Sequence, residues 1–291
     1  MPSTREIRRR IRSVKNISKV TKAMETVAAA KMRKAQQQVL MTRPYAEKSR
    51  EVLAYLARLR ASAAPEQPLL QQRPINKVAL LLITGDRGLA GAYNANVIRE
   101  AMNRVDELEE EGKQVSVVTV GAKGRDFMLR HGPPLHAVFT GLSDRPSAND
   151  VAPIAQVLID AFVNEDFDAV YIVATKFVNT MRQEPDVSQL LPIRPAAPEH
   201  PMAADYIFEP SPQAILGEVL RGLTELQILQ AVYEAMASEQ SARMVAMRNA
   251  TESANELIGE LTLSYNKARQ EAITKELLDI VGGSSALQQA A

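Results

Sequence analysis

The sequence predicts an α/β domain with a Rossmann-like parallel sheet, inserted between two long terminal helices that pair as an antiparallel coiled coil. Three observations carry this prediction. Residues 3–43 and 223–258 contain neither Gly nor Pro, so neither end has an intrinsic helix stop. The middle of the chain alternates between short apolar runs and helix-forming segments. All six Phe residues lie within residues 127–208, as expected if only a sheet-based domain can bury large rings.

The first segment, residues 1–60, is predicted to form one basic helix. It contains 16 Lys and Arg against 4 Asp and Glu. Its apolar residues recur at spacings of mostly three and four, the period of one helix face. They are Ile7, Ile11, Val14, Ile17, Val20, Met24, Val27, Ala28, Ala35 and Val39. At about 1.5 Å per residue this helix would be about 85 Å long, so we expect it to need a partner helix.

A proline-containing linker at residues 61–76 leads into the α/β domain, which we assign to residues 77–211. The predicted strands are 77–84, 114–120, a short one around 138–140, and 169–177. The predicted helices are about 94–111, near 122–130, and 151–163. Several strands are continuously apolar, which favours a parallel sheet covered on both faces. The proline-rich residues 183–212 predict an edge strand and a connection to the last helix.

The C-terminal segment supplies the partner helix, which we assign to residues 212–283, with a tail at residues 284–291. Pro212 suits a first helical turn, and Gly282 and Gly283 follow the last apolar residue. The apolar spacing resembles that of the first helix, but it is irregular and rich in Ala. The two helices are therefore predicted to form a close-packed, imperfect antiparallel coiled coil.

Composition excludes several classes of site. The chain has no Cys, so it has neither disulfides nor thiolate metal ligands, and its three His residues lack metal-ligand spacing. We expect no metal and no cofactor. The basic N-terminus is not followed by an apolar stretch, and no run approaches the ~18 apolar residues of a membrane span, so neither a secretory signal nor direct membrane insertion is expected.

The turn from Gly85 to Gly91 lies between a predicted strand and a predicted helix, where a dinucleotide fold places its phosphate loop. Its spacing is G-x-x-G-x-x-G rather than G-x-G-x-x-G, and no ribose-binding carboxylate follows the second strand. A tight strand-to-helix corner is the simpler interpretation. No Ser/His/Asp grouping or carboxylate pair suitable for catalysis is evident.

The basic first helix could bind nucleic acid or an anionic membrane. It lacks interleaved aromatic residues for base stacking, and its apolar stripe suits helix pairing, so a protein partner with acidic surfaces is favoured. Polar residues along the last helix have two interpretations: a solvated face, or a surface that partners recognise on different sides.

Five segments carry a resemblance to a known family. They are residues 18–31 (SKVTKAMETVAAAK), 86–91 (DRGLAG), 239–247 (EQSARMVAM), 266–270 (NKARQ) and 273–277 (ITKEL). In these segments, and in their order and separation, the chain resembles the gamma subunits of bacterial F-type ATP synthases.

The resemblance implies a central-stalk rotor subunit that couples ion flow through the membrane c-subunit ring to conformational change at the catalytic sites. The paired helices would be the rotating shaft inside the hexamer of alpha and beta subunits, and the α/β domain would contact the epsilon subunit and the c-ring. The chain would be noncatalytic by itself. It would lie peripherally at the cytoplasmic face of the bacterial cell membrane.

The resemblance also implies partner contacts. Met24 and the lysines Lys19, Lys22 and Lys31 would face the acidic lever loops of beta, and the corner of Asp86, Arg87, Gly88, Ala90 and Gly91 would lie near such a lever. Arg269 and Gln270, with Thr274 close by, would bind the hexamer's catch loops. Arg243 would help to hold the shaft helices or their contacts. Ala90 replaces a Cys found in many relatives, so the thiol-based regulation of chloroplast relatives is not expected.

Two other functions remain open from the residues alone. One is a Rossmann-type nucleotide-dependent enzyme with helical arms, which would bind nucleotide tightly as a purified chain. The other is a coiled-coil scaffold unrelated to ATP synthesis.

Overall fold

The computed structural model describes residues 3–59, 67–194 and 212–289. The helices are α1 (Thr4–Leu59), α2 (Tyr93–Glu110), α3 (Ala122–His131), α4 (Ala148–Val163) and α5 (Pro212–Gln289). The strands are β1 (Lys77–Ile83), β2 (Gln114–Val120), β3 (Leu135–Phe139), β4 (Ala169–Phe177) and β5 (Gln183–Leu191). The chain divides into two compact units: a helix-pair unit (Met1–Val27 with Met244–Ala291) and a sheet unit (Ala28–Arg243).

The sheet has the strand order β3-β2-β1-β4-β5. Strands β1 to β4 are parallel, as predicted, whereas β5, predicted as an edge strand without a direction, pairs antiparallel with β4 and makes the sheet mixed. Only residues 178–182 separate β4 from β5. Because a parallel return needs a crossover of a dozen or more residues, this short connection forces a hairpin.

Strand β1 shows why the sheet is covered on both faces. Val78, Leu80 and Leu82 belong to an apolar core that includes residues of α2 and α3. Ala79, Leu81 and Ile83 belong to a second core that includes residues of α4 and α5. Successive strand side chains point to opposite faces, so an uninterrupted apolar run fills both cores. Each fully buried Leu contributes about 1.5–3 kcal/mol.

Part of the predicted linker belongs to the sheet unit. Leu69 lies in a short 3-10 turn (Pro68–Leu70), is buried in the core shared with α4 and α5, and its carbonyl accepts the N–H of Ile193 at 2.9 Å. The rest of the predicted linker, residues 61–66, lies outside the described residues. Leu69 of the predicted linker therefore packs with the sheet unit.

Three element boundaries differ from the prediction. Helix α4 begins at Ala148 rather than near residue 151, because the Ser147 N–H donates to Asp150 Oδ2 at 2.7 Å and so caps the first turn. Strand β3 begins at Leu135, before the predicted residues 138–140. Helix α5 continues through Gly282 and Gly283, so the predicted end there is wrong. Glycine costs a helix about 1 kcal/mol but keeps the N–H that proline lacks.

No helix among the described residues has both the length and the apolar character needed to cross a bilayer.

Asp168 joins the start of β1 to the start of β4. Its Oδ2 accepts the N–H groups of Asn76 at 2.9 Å and Lys77 at 2.8 Å, and its Oδ1 lies 2.8 Å from Arg73 Nε. Burial acts to raise the pKa of Asp168, but the two N–H groups and the guanidinium outweigh it, so the pKa lies below its usual 3.8.

We expect Asp168→Asn to make the free energy of unfolding depend less on pH in the acid range. A carboxylate with a lowered folded-state pKa stabilises the protein above its unfolded pKa, and this contribution is lost as pH falls through the folded value. Urea unfolding followed by tyrosine fluorescence from pH 6 to pH 2 measures the effect. The native chain should lose stability below about pH 4 more steeply than the variant. Asp106→Asn, at an exposed position of α2, is the control, and equal slopes for the native chain and Asp168→Asn would contradict the expectation.

Candidate functional site

The corner that follows β1, residues 85–91, presents a small exposed loop in the sheet unit. Arg87, Gly88 and Leu89 are exposed, whereas Ala90 is buried at 2% exposure. Leu89 and Gly91 have positive φ angles of 62° and 55°. A positive φ strains the backbone of a non-glycine residue such as Leu89, so the surrounding contacts must maintain the shape of the corner.

Asp86 ties this corner to the ends of two neighbouring strands. Its Oδ1 accepts the N–H of Ala122 at 2.8 Å, just after β2, and its Oδ2 accepts the N–H of Gly141 at 2.9 Å, just after β3. Asp86 was predicted to be a partner contact. In the sheet unit, both of its carboxylate oxygens have internal structural roles.

Helix α5 lies across the carboxyl ends of β1 and β4. The Ser238 hydroxyl donates to the Thr175 carbonyl at 3.3 Å, and the Ser241 hydroxyl donates to the Thr180 carbonyl at 2.8 Å. Arg243 donates to the Gly88 carbonyl at 3.2 Å and to Glu239 Oε1 at 2.5 Å. The motif of residues 86–91 and the motif that begins at Glu239 therefore meet in space.

Glu239 fills the space beside the first glycine of the corner. A Cβ added to Gly85 would lie 2.8 Å from the Glu239 carboxylate. The order of the parallel strands reverses between β1 and β4, and in open α/β sheets ligands bind in the crevice at such a point. Here the protein's own carboxylate occupies that crevice next to the glycine, which argues against the nucleotide-dependent enzyme.

Tyr93, the first residue of α2, completes the polar cluster behind the corner. Its ring is buried, and burial raises the pKa of its phenol strongly, with a further increase from the negative charge of Glu239. Arg243 acts in the opposite direction. Tyr93 therefore stays protonated throughout the physiological pH range.

Lys31 of α1 forms an ion pair within the sheet unit. Its Nζ lies 2.8 Å and 2.7 Å from the two carboxylate oxygens of Asp144, in the loop after β3. The Lys31 ammonium holds the pKa of Asp144 below its usual range, and Arg87 and Arg243 contribute in the same direction. Lys31 thus has an internal partner, although its side chain stays about one-third exposed at 34%.

In the helix-pair unit, α1 and α5 run antiparallel. Arg8 hydrogen bonds to Tyr265, Ser18 Oγ lies 2.9 Å from Asn255 Oδ1, and the hydroxyls of Thr21 and Thr251 are 2.6 Å apart. Across these three pairs the residue number on α5 decreases as the residue number on α1 increases, which defines the antiparallel direction. Polar side chains thus make up part of the contact between the helices.

The buried stripe of α1 differs from the predicted one. Ile17, Val20 and Val27 were assigned to it, yet their exposures are 51%, 58% and 55%. One series of buried or half-buried positions alternates at spacings of four and three: Ile7, Ile11, Val14, Ser18, Thr21 and Glu25 in the helix-pair unit, and Ala28, Met32, Ala35 and Val39 in the sheet unit. The other seven predicted positions are buried or half-buried, so the stripe was mostly placed correctly. The prediction missed Ser18, Thr21 and Glu25 because it counted only apolar residues.

The remaining predicted contacts are accessible on the helix-pair unit. On α1, Lys19 is exposed, Met24 is half-buried, and Lys22 is exposed and paired with Glu25 at 3.0 Å. On α5, the exposed residues include Arg269, Gln270 and Thr274 and the apolar Ile273, Leu277 and Ile280. Within the described part of the chain, no side-chain hydrogen bond joins these α1 residues to these α5 residues.

Sequence reasoning did not assign a structural role to Glu239, Tyr93 or Asp144. The i,i+4 spacing of Glu239 and Arg243 was a usable signal, because such pairs face each other on a helix. Tyr93 and Asp144 acquire their partners only through long-range contacts.

Comparison with known proteins gives strong matches in sequence. A family model described as ATP synthase matches residues 3–287. The ATP synthase gamma chain of Herpetosiphon aurantiacus is 47% identical over 295 residues, covering 99% of this chain and 100% of that protein. The ATP synthase gamma chain of Dehalococcoides mccartyi is 50% identical over 287 residues, with coverage of 99% and 100%.

Solved structures give a matching fold. A chain of the Euglena gracilis mitochondrial ATP synthase OSCP/F1/c-ring structure aligns with a TM-score of 0.65 and 20% identity, covering 99% of this chain and 95% of that chain. A chain of the Tetrahymena thermophila mitochondrial ATP synthase central stalk/c-ring structure aligns with a TM-score of 0.59 and 23% identity, covering 79% and 99%. At these identities the likeness concerns the fold alone.

Proposed function

The chain belongs to the ATP synthase gamma-chain family, and from that membership we propose that it is the central-stalk rotor subunit of a bacterial F-type ATP synthase. In this role it couples ion flow through the membrane c-subunit ring to conformational change at the catalytic sites of the alpha/beta hexamer. By itself it is noncatalytic. Its partners are the alpha, beta and epsilon subunits and the c-ring, at the cytoplasmic face of the cell membrane.

The antiparallel pairing of α1 and α5 in the helix-pair unit is the observation that best supports a rotor. Burial along α1 at alternating spacings of four and three is the pattern of a coiled coil, and Thr and Ser in the seam can fix its register. We assign the shaft to α1 and α5, so its second helix extends to Gln289 rather than to the predicted end at residue 283. Two paired helices resist bending and twisting better than one, as torque transmission requires.

Different side chains on different faces of the shaft supply the mechanism. Basic Lys19 and Lys22, apolar Ile17 and Val20, and the polar Arg269 and Gln270 are all accessible to partners. Three chemically identical catalytic subunits around such a shaft meet three different surfaces at any instant. Rotation carries these surfaces around the ring, so each subunit's nucleotide affinity changes through differential contacts with its open and closed states.

The partner contacts follow from the charges of these surfaces. Lys19, Lys22, Met24 and Lys31 would meet acidic lever loops of beta, an attraction that salt should weaken where the groups are exposed. The corner at residues 86–91 would lie near such a lever, through Arg87 and Leu89. Arg269 and Gln270, with Thr274, would bind the catch loops of the hexamer.

The sheet unit would serve as a docking body rather than as an enzyme. Its parallel strand order β3-β2-β1-β4 is the same as the first four strands of the 3-2-1-4-5-6 order of a doubly wound nucleotide-binding fold, so we describe the domain at residues 77–211 as Rossmann-like. Glu239 fills the crevice where that fold binds its ligand. We therefore propose contacts with epsilon and the c-ring for this unit and no nucleotide site.

Co-purification tests the proposal directly. We expect the chain, tagged at one end and isolated gently from its native membranes, to bring alpha, beta and epsilon subunits with it. High salt should weaken the exposed electrostatic contacts first. Recovery of the native chain free of all three subunits would contradict the rotor role, and tight nucleotide binding by the purified chain would instead support the enzyme.

A further inference from the structure

The middle of the corner at residues 85–91 is fixed by few contacts. Asp86 ties one end of the corner to the strands β2 and β3. Asn94 Oδ1 accepts the Gly85 N–H at 2.9 Å. Asn94 Nδ2 donates to the Arg87 carbonyl at 3.4 Å, which is a long hydrogen bond. The Gly88 carbonyl, between the exposed Arg87 and Leu89, accepts its hydrogen bond from Arg243 of α5. Leu89, whose backbone is strained, follows Gly88 directly. The bond from Arg243 therefore fixes the backbone next to the strained residue, which would otherwise relax to another conformation.

Glu239 orients Arg243 for this bond. The two residues are one helical turn apart, their side chains are only 14% and 11% exposed, and Arg243 donates to Glu239 Oε1. A buried guanidinium without a carboxylate would be costly, and the pairing restricts it to the rotamer that reaches Gly88. The same carboxylate packs against Gly85, where no Cβ fits.

We propose that Glu239 and Arg243 are positioning residues that fix the corner in the shape in which Arg87 and Leu89 meet the beta subunit. Helix α5 acts as an internal ligand: its carboxylate and guanidinium occupy the crevice between the ends of β1 and β4. Breaking the pair releases the corner, and the contact with beta loses its fixed geometry. The inference rests on the proposed function only for the identity of the subunit that the corner meets.

The absence of native Cys makes a clean spectroscopic test possible. Arg87→Cys introduces a single site for a nitroxide spin label at the exposed corner of the full-length chain. Adding Arg243→Ala should raise the mobile fraction of the label's spectrum about threefold, because one charge-assisted hydrogen bond fixes the corner. Arg243→Lys should restore part of the immobility, and Glu239→Gln, which keeps an acceptor, should cause a smaller rise. If Arg243→Ala fails to fold by far-UV circular dichroism, these two milder variants carry the test.

Arg248→Ala is the matched control. Arg248 and Glu252 have the same spacing on the same helix, but their side chains are 69% and 61% exposed. The control should leave the label unchanged, whereas an equal rise in the control and in Arg243→Ala would overturn the proposal. An unchanged spectrum in Arg243→Ala would also overturn it.

A second measurement uses the assembled complex without the label. In Arg243→Ala we expect protons or other ions pumped per ATP hydrolysed to fall about threefold while the hydrolysis rate itself changes less, because a loose corner weakens coupling rather than the chemical step. A mobile corner with unchanged coupling would overturn the proposed role toward beta. Failure of the rotor proposal is distinguishable, because in that case the spectrum changes as expected but native chain does not co-purify with alpha and beta.

Discussion

Replacing Arg269 and Gln270 together by alanine should reduce coupled ATP synthesis by the assembled complex about tenfold or more. Both side chains are exposed on α5 and make no hydrogen bond within the described part of the chain, so they are available to partners. Lost hydrogen bonds cost about 1–3 kcal/mol each, more for charged groups, and about 1.4 kcal/mol corresponds to a factor of ten. ATP-driven ion pumping and ATP synthesis in membrane vesicles measure the effect.

The same double substitution should leave the isolated chain nearly unchanged. Alanine has the highest helix propensity, and neither residue packs into a core, so far-UV circular dichroism should retain the native helicity. Glu260→Ala, another exposed position of α5, serves as the control for the complex. Turnover of the double variant at the native rate would remove Arg269 and Gln270 from the proposed contacts.

Gly121→Ala should be the most destabilising single substitution considered for the sheet unit, with a loss of more than about 3 kcal/mol. Gly121 follows β2 with φ of 101°, and a Cβ there would lie 2.2 Å from the carbonyl oxygen of Thr84. Thr84 is fixed to β2 by two hydrogen bonds, since its N–H and its hydroxyl both donate to the Val120 carbonyl. The backbone therefore cannot move aside without breaking the link between β1 and β2.

Gly112→Ala separates the two causes of this loss. Gly112 also has a positive φ, of 77°, but an added Cβ would meet no atom within 4 Å. It should lose only about 1–2 kcal/mol, the cost of an L-residue in this conformation. Urea unfolding of the full chain, followed by tyrosine fluorescence, compares the two variants. Similar losses of unfolding free energy in the two variants would show that the contact between the added Cβ and the Thr84 carbonyl does not contribute.

Local pattern was sufficient to predict most elements of the sheet. Strands β2 and β4 begin and end where the runs QVSVVTV and AVYIVATKF predict, because continuous apolar and β-branched runs bounded by turn residues have few alternatives. Periodicity likewise predicted both terminal helices. The direction of β5 was not available from residue type, since it depends on the length of its connection to β4.

The site was predicted as motifs but not as contacts. The corner at residues 86–91 and Arg243 were both selected from the sequence, 155 positions apart, and the structure joins them through the Gly88 carbonyl. The stripe of α1 was placed partly on the wrong residues, because Ser18, Thr21 and Glu25 lie in the buried register that an apolar count ignores. Polar groups enter a helix contact when a partner of matching chemistry faces them, and for Ser18 and Thr21 that partner lies more than 200 residues away.

The sequence by itself determined the alternation of strands and helices, the basic character of the first sixty residues, the absence of thiol chemistry and the family to which the motifs point. These properties depend on the order and chemistry of neighbouring residues. The tertiary structure alone decided that Asp86 ties three strand ends together, that Glu239 fills the crevice beside Gly85, and that the hydroxyls of Thr21 and Thr251 pair in the contact between α1 and α5. Each of these depends on groups that become neighbours only after the chain has folded, when burial makes an unpaired polar group costly and so selects its partner.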